Sequence, residues 1–275
     1  MYLFPRASGF ELNMKRPHWS VRFLCGQFFL SIAPVIPGMS PQASAYSVTI
    51  AENFKDTFFV PCQDAPPASR LVRSPTLFSP DRSYSAYSEV QARARSPEIA
   101  EDLHHPDCAN TSKLFFKESR EKEYRVIFNL NPSPENSGNG LEIVDWSKDG
   151  GKLAFKVFTF QYGVDWTDED RVLIYDVKSN RTIGPNISHI LSDQLRKACD
   201  IWIGEVLGFM ADNRLVLSLG DVVFPEEYLA PSEEPPPPCI PERSLWILDW
   251  SKQKLAPCSA EVNVKHYGII ESRMQ

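Results

Sequence analysis

The 275 residues carry 29 Lys and Arg against 35 Asp and Glu, a net charge of −6, with 43% hydrophobic and 12% aromatic residues. That composition excludes wholesale disorder and suffices for a sizeable core. The acidic balance repels phosphate backbones, so nucleic acid is not an expected partner, and Arg70, Arg73, Arg82, Arg93 and Arg95 are too dispersed to form a basic patch.

In chain order, the first 45 residues read as a leader. Met14, the expected start, opens a basic stretch of Lys15, Arg16 and Arg22, and an apolar run follows from Phe23 to Ile36, broken at Gly26, Gln27 and Ser31. Ala43-Ser44-Ala45 then supplies the small-x-small pattern of a cleavage site. The run is short for a membrane span of roughly 20 residues. A signal peptide over 1–45 is therefore expected, with a retained N-terminal anchor as the alternative. After processing, no membrane span is expected, and the location is periplasmic or extracellular. Residues 1–45 hold Arg6, Lys15, Arg16, Arg22 and Glu11, so residues 46–275 carry a net charge of −9.

Beyond the leader three segments share a pattern: an aromatic residue, an Asp three positions later, then alternating apolar residues. They begin at Phe78 with Asp81, at Trp146 with Asp149, and at Phe209 with Asp212, the aspartates lying 68 and 63 residues apart. Such self-similarity marks a repeat architecture. Asp149-Gly150-Gly151 between apolar strands (Leu141 to Trp146, Leu153 to Phe158) predicts a hairpin, because Gly accepts positive φ and the carboxylate can bond nearby N–H groups. Asp212-Asn213 serves the same purpose in the third unit. Further runs, Arg171 to Val177 and Ser244 to Trp250, with Tyr124 to Asn129 as the equivalent in the first unit, predict inner strands buried on both faces.

The stretch Trp146-Ser147-Lys148-Asp149-Gly150-Gly151-Lys152-Leu153-Ala154-Phe155, followed by Leu173-Ile174-Tyr175-Asp176-Val177, resembles one blade of a TolB-type, WD40-like β-propeller. The first unit shares Ser79-Pro80-Asp81 without the Gly, and the third replaces Ser-Pro by Met210-Ala211. The resemblance implies an all-β fold, a propeller-like array of antiparallel blades with one short helix. It places units near 71–130, 141–184 and 203–258 within a single domain over 46–275, and Tyr46 to Val60 as a further partial unit or closing strand. It also implies an extracytoplasmic binding module for a protein or cell-envelope component. An exported hydrolase or lyase acting on carbohydrate or peptide is the alternative.

Between the units, Asn131 to Gly140 and the Pro231 to Pro241 stretch, with four consecutive prolines, predict loops; Ser188 to Ile201 predicts a short amphipathic helix. Export permits disulfides. The spacing leaves connectivity open, but Cys62 with Cys108 and Cys239 with Cys258 each bracket one unit, leaving Cys199 as a small buried hydrophobe.

Catalytic signals are sparse. His104, His105 and Asp107 form the densest group of metal-ligand types, yet adjacent histidines point apart on an extended chain, which favours an exposed loop. Asp165, Asp168 and Asp170 could offer oxygens to a cation, but their spacing fits a solvated acidic loop better than an EF-hand. No nucleophile elbow, zinc-protease pattern or phosphate loop occurs, so no catalytic residue and no cofactor are expected. His189 is expected at the helix start and His266 near a C-terminal strand. Three Asn-x-Ser/Thr sequons begin at Asn110, Asn180 and Asn186.

Overall fold

A computed structural model describes residues 48–61, 69–94, 108–133, 138–160, 167–222, 238–240, 242–258 and 264–271. The chain divides into two units, Met1–Ser44 and Ala45–Gln275, and all described residues belong to the second. The expected leader thus lies outside them.

That unit is built mainly of β-strands. Strands β1 (Val48–Ile50), β2 (Ser69–Arg73), β3 (Leu77–Phe78), β4 (Tyr84–Ala94), β5 (Cys108–Glu118) and β6 (Arg125–Leu130) form the first sheet. The second sheet is a meander of β7 (Gly138–Trp146), β8 (Lys152–Phe160), β9 (Thr167–Asp176) and β10 (Arg181–Ile183). After helix α1 (Ile187–Leu195) comes a second four-stranded meander, β11 (Ile201–Phe209), β12 (Leu215–Asp221), β13 (Ser244–Asp249) and β14 (Lys254–Pro257). The last strand, β15 (Ile269–Ile270), returns to pair antiparallel with β3. Because β2 and β3 pair with successive parts of β4, they act as one interrupted strand, and the first sheet contains the same meander as the others.

Each aspartate of the repeat closes the turn between the first two strands of its meander. In the second sheet, Asp149 Oδ1 accepts Ser147 Oγ–H at 2.6 Å and Gly151 N–H at 3.0 Å, while Gly150 takes φ +70. In the first, Asp81 Oδ1 accepts Ser79 Oγ–H at 2.7 Å and Ser83 N–H at 3.1 Å, with Arg82 at φ 58. In the third, Asp212 Oδ1 accepts Arg214 N–H at 3.3 Å, with Asn213 at φ 67. The third turn closes one residue earlier, through Met210 N to Arg214 O, since Met210 has no hydroxyl to bridge the longer loop. The turns adjoin: Asn213 Nδ2 donates to Asp149 Oδ2 at 3.0 Å, and a Cβ on Gly150 would stand 3.4 Å from Asp81 Oδ1. A second turn also recurs. Asp176 and Asp249 each accept the N–H three residues on, and Asn180 and Gln253, four residues on, are left-handed.

In the second and third sheets the aromatic residue before the turn packs toward the preceding sheet. Trp146 is fully buried with Leu114, Phe116, Leu153 and Phe155 between the first and second sheets. Phe209 is fully buried with Ala154, Val172 and Ile174 between the second and third, where α1 adds Ile190 and Leu191. Phe78 is only half-buried, with the Arg82 guanidinium 5.8 Å from its ring centre.

Several expectations are corrected. Of the run Tyr124 to Asn129, Arg125 onward belongs to β6, the fourth strand of its meander, because β5 takes the third place; β5 alternates buried and partly exposed residues with Asn110 and Ser112 on the inner face. That seam is satisfied by Ser112 Oγ donating to Asn139 Oδ1 at 2.6 Å and Asn110 Nδ2 to Asn139 O at 3.1 Å. Asn110, a sequon position, is thus fully buried. The run Ser244 to Trp250 is not buried on both faces: along β13 only Leu248 is buried. The second meander begins at Gly138 rather than Leu141, and α1 ends at Leu195, where Arg196 turns left-handed. Val48–Ile50 adds a parallel edge strand to β2, whereas Phe54–Thr57 is a short 3-10 turn.

The cysteine pairing also differs. Cys199 bonds Cys239 across 40 residues; Cys239 does not pair with Cys258. The cause is local: Asp221, ending β12, accepts the N–H groups of Cys239 and Ile240, which turns that segment back beside Cys199. Cys258 instead continues β14, its N–H donating to Leu245 O at 2.8 Å. Cys108 is also disulfide-bonded, and Cys62 lies outside the described residues. Such bonds belong to an oxidising environment. Among the described residues no helix is long and apolar enough to cross a membrane.

Candidate functional site

β7 leads into the Asp149 turn and carries two acids, Glu142 and Asp145. In an unbroken strand, residues three apart face opposite ways. The ladder with β8 slips between Ile143 and Asp145, leaving Val144 as an extra residue. Such a bulge exchanges the faces beyond it. Trp146 thereby joins Leu141 and Ile143 in the core between the first two sheets, and Asp145 turns to the side of Glu142. β11 slips twice, between Ile203 and Glu205 and between Val206 and Gly208. Glu142 and Glu205 each stand four residues before the turn aromatic of their own sheet.

Residues 264–270 cross the first strands of all three meanders. Val264 approaches Gly208 of β11, where a Cβ would come 3.2 Å from Val264 Cγ1. Asp145 of β7 accepts Tyr267 N–H at 3.0 Å on Oδ2, and Gly268 N–H at 2.7 Å and Trp146 N–H at 2.8 Å on Oδ1. Ile269 and Ile270 then pair with Phe78 and Leu77 of β3. Gly268 is required by close approach, since a Cβ there would fall 2.7 Å from Leu77 Cδ1. Asp145 is 1% exposed, and His266 Nδ1 lies 3.7 Å from its Oδ2.

Beside this crossing lies a cavity of about 550 Å³ whose wall includes Phe54, Phe58, Glu142, Glu205, Val206 and Ile270. Lys156 stands opposite Glu142 on β8 and is nearly fully buried. Its Nζ lies 3.1 Å from Asp170 Oδ2, donates to Ile203 O at 2.8 Å and sits 5.0 Å from the Phe58 ring centre. It therefore stitches the second sheet to the third. Lys55 and Glu205 pair at 3.7 Å, both largely exposed.

Burial raises the Glu142 carboxyl above the usual range, opposed by the charges of Lys55 and Lys156. Burial likewise raises Asp170 against Lys156, and raises Asp145 against the N–H groups it accepts. Lys156 is balanced by Asp170, and Lys55 by Glu205. Among the described residues Glu142 makes no hydrogen bond or ion pair, so it is the carboxyl group that the cavity leaves over. Such a group can receive a cation or, protonated, donate a hydrogen bond.

The residues singled out by the repeat, Phe78, Asp81, Trp146, Asp149, Gly150, Phe209 and Asp212, stand at the turns and the sheet cores, outside the cavity wall. His104, His105, Asp107 and Asp165 lie outside the described residues, and of Asp168 only the main chain, within β9, is described. The solvated-loop reading of Asp170 is corrected: it sits in β9, buried against Lys156, because the apolar strand continues through it. Among the described residues no three His, Cys, Asp or Glu side chains are grouped to hold a metal. A larger hollow of about 640 Å³ on the first sheet offers Arg93 and Lys113 but no carboxylate. Sequence reasoning did not find Glu142, Asp145, Lys156 or Glu205. The available signal was an apolar strand interrupted by acids three apart, which reads as one acid per face until the bulge is known.

No protein-family model and no curated protein matches this chain.

Proposed function

We propose that this is an exported binding module of propeller-like, TolB-type architecture, in the periplasm or outside the cell, whose ligand site is the cavity where β7, β11 and the C-terminal segment meet. The observation that carries the reading is the contrast within one strand: β7 ends in a turn shared by three sheets, yet its middle holds an uncompensated Glu142 in a cavity of about 550 Å³. Ligand pockets commonly have this size, apolar lining and few polar groups. The Cys199–Cys239 bond supports export, and three like meanders support blades. Fold analogy alone does not name the ligand, which is a protein or cell-envelope component.

The test is ligand-observed NMR with an envelope extract fractionated by size, on the native chain and on Ile270→Trp. Ile270 is 53% exposed at the cavity, so the larger ring occludes the opening with little strain on the fold. Binding that weakens in the variant supports the reading; binding indifferent to Ile270→Trp refutes the site.

A second reading, a hydrolase or lyase on carbohydrate or peptide, is favoured by one observation: Glu142, with its raised pKa, shares the cavity with Glu205. Two carboxyl groups facing one cavity are the equipment glycoside hydrolysis uses. Turnover that survives both Glu142→Gln and Glu205→Gln removes this reading.

A further inference from the structure

We propose that the cavity takes an organic amine, its ammonium group set against Glu142 and its apolar body against Phe54, Phe58 and Val206. The proposal deepens the binding-module reading and rests on it. The argument is one of charge and partners. Lys156 cannot serve a ligand: its three donors are engaged by Asp170 and the carbonyls of Ile203 and Gly204. Asp145 is sealed at 1% exposure by three main-chain N–H groups. Glu205 faces Lys55 at the rim. Among the described residues Glu142 alone combines a place in the wall with a carboxyl that has no hydrogen-bond or ion-pair partner. An anion would meet that carboxyl and find both lysines occupied, whereas an ammonium group supplies the charge the cavity lacks. The apolar part of the wall, formed by Phe54, Phe58, Val206 and Ile270, suits a hydrocarbon stem.

Lys55 supplies an independent handle. It is 69% exposed, and its charge acts on Glu142 without a hydrogen bond. It therefore competes with an incoming cation, and removing it should strengthen amine binding.

The experiment uses three probes of similar size on one phenyl ring, benzylamine, benzyl alcohol and benzoate, titrated against the full chain at neutral pH by saturation-transfer NMR. Benzylamine is expected to bind at least about tenfold more tightly than the other two, and Glu142→Gln to bring it down to the level of benzyl alcohol. Lys55→Ala is expected to strengthen benzylamine roughly threefold. Equal affinity for benzylamine in Glu142→Gln, or benzyl alcohol or benzoate binding as well as the amine, overturns the ammonium assignment. If those neutral or anionic probes still lose binding in Ile270→Trp, the cavity stands and only its charge preference falls. No binding by any probe overturns the amine proposal, and extract components that still bind and respond to Ile270→Trp keep the site. Should Glu142→Gln fail to fold, Lys55→Ala decides: unchanged or weaker benzylamine binding overturns the proposal.

Discussion

At the ends of their first strands the three sheets present nearly the same turn; in the middle those strands differ. Asp81, Asp149 and Asp212 each bind the N–H two residues on, ahead of which Arg82, Gly150 and Asn213 share a left-handed backbone. Four residues before each turn aromatic the chain has Ser74, Glu142 and Glu205, and immediately before it Leu77, Asp145 and Gly208. The repeated end is a folding device. The unrepeated middle, where Asp145 holds the C-terminal segment and Glu142 faces the cavity, is where a function particular to this chain can reside.

The largest expected effect tests the repeated end. Trp146→Ala removes a fully buried ring from between two sheets and should cost about 3–5 kcal/mol in denaturant unfolding. Phe78→Ala, at the equivalent but half-buried position, should cost about 1 kcal/mol. Equal losses would break the view that Trp146 is held by the preceding sheet while Phe78, in the first sheet, has none.

The centre comes next. Lys156→Met leaves Asp170 buried and uncompensated and should cost about 3 kcal/mol, of which the added change Asp170→Asn should return a large part. A double-mutant cycle by chemical unfolding checks this, and additive losses would show that the pair does not couple.

Glu142→Gln should act in the opposite direction and depend on pH. Burial makes the native carboxyl hold its proton to higher pH than the unfolded chain does. The native state then binds more protons across that window, so stability falls as pH rises through it and the penalty is complete above it. The variant should melt higher than the native chain at pH 8 and show no gain at pH 3. A gain that persists at pH 3 would place its cause elsewhere.

The smallest effect returns to the turns. Arg82→Gly should stabilise by up to about 1 kcal/mol, because Arg82 sits at φ 58, where Gly has no Cβ penalty, and Gly150→Ala should cost a similar amount at φ +70. Thermal melts of both variants compare the two turns directly.

The sequence made the turns legible because each is local: an aspartate, its following left-handed residue and an apolar strand on either side lie within ten residues. It concealed β5, whose inward Asn110 and Ser112 imitate a polar loop until Asn139 arrives from the next sheet to satisfy them. Cys199 gave no sign of its partner, since Asp221 and the returning 238–240 segment bring Cys239 beside it through space. Glu142 and Asp145 were hidden for a different reason. Strand periodicity assigns them to opposite faces, and a one-residue bulge reverses that assignment without a mark in the sequence.

The most direct test concerns the centre itself: amide hydrogen exchange in the native chain and in Asp145→Asn, read residue by residue. The account requires Tyr267, Gly268 and the β15 amides to be protected in the native chain and to exchange at least about 100-fold faster in the variant, while Gly151 and Ser83 in the turns stay unchanged. Amides over 264–270 that exchange freely in the native chain, or that ignore the loss of Asp145, would contradict it.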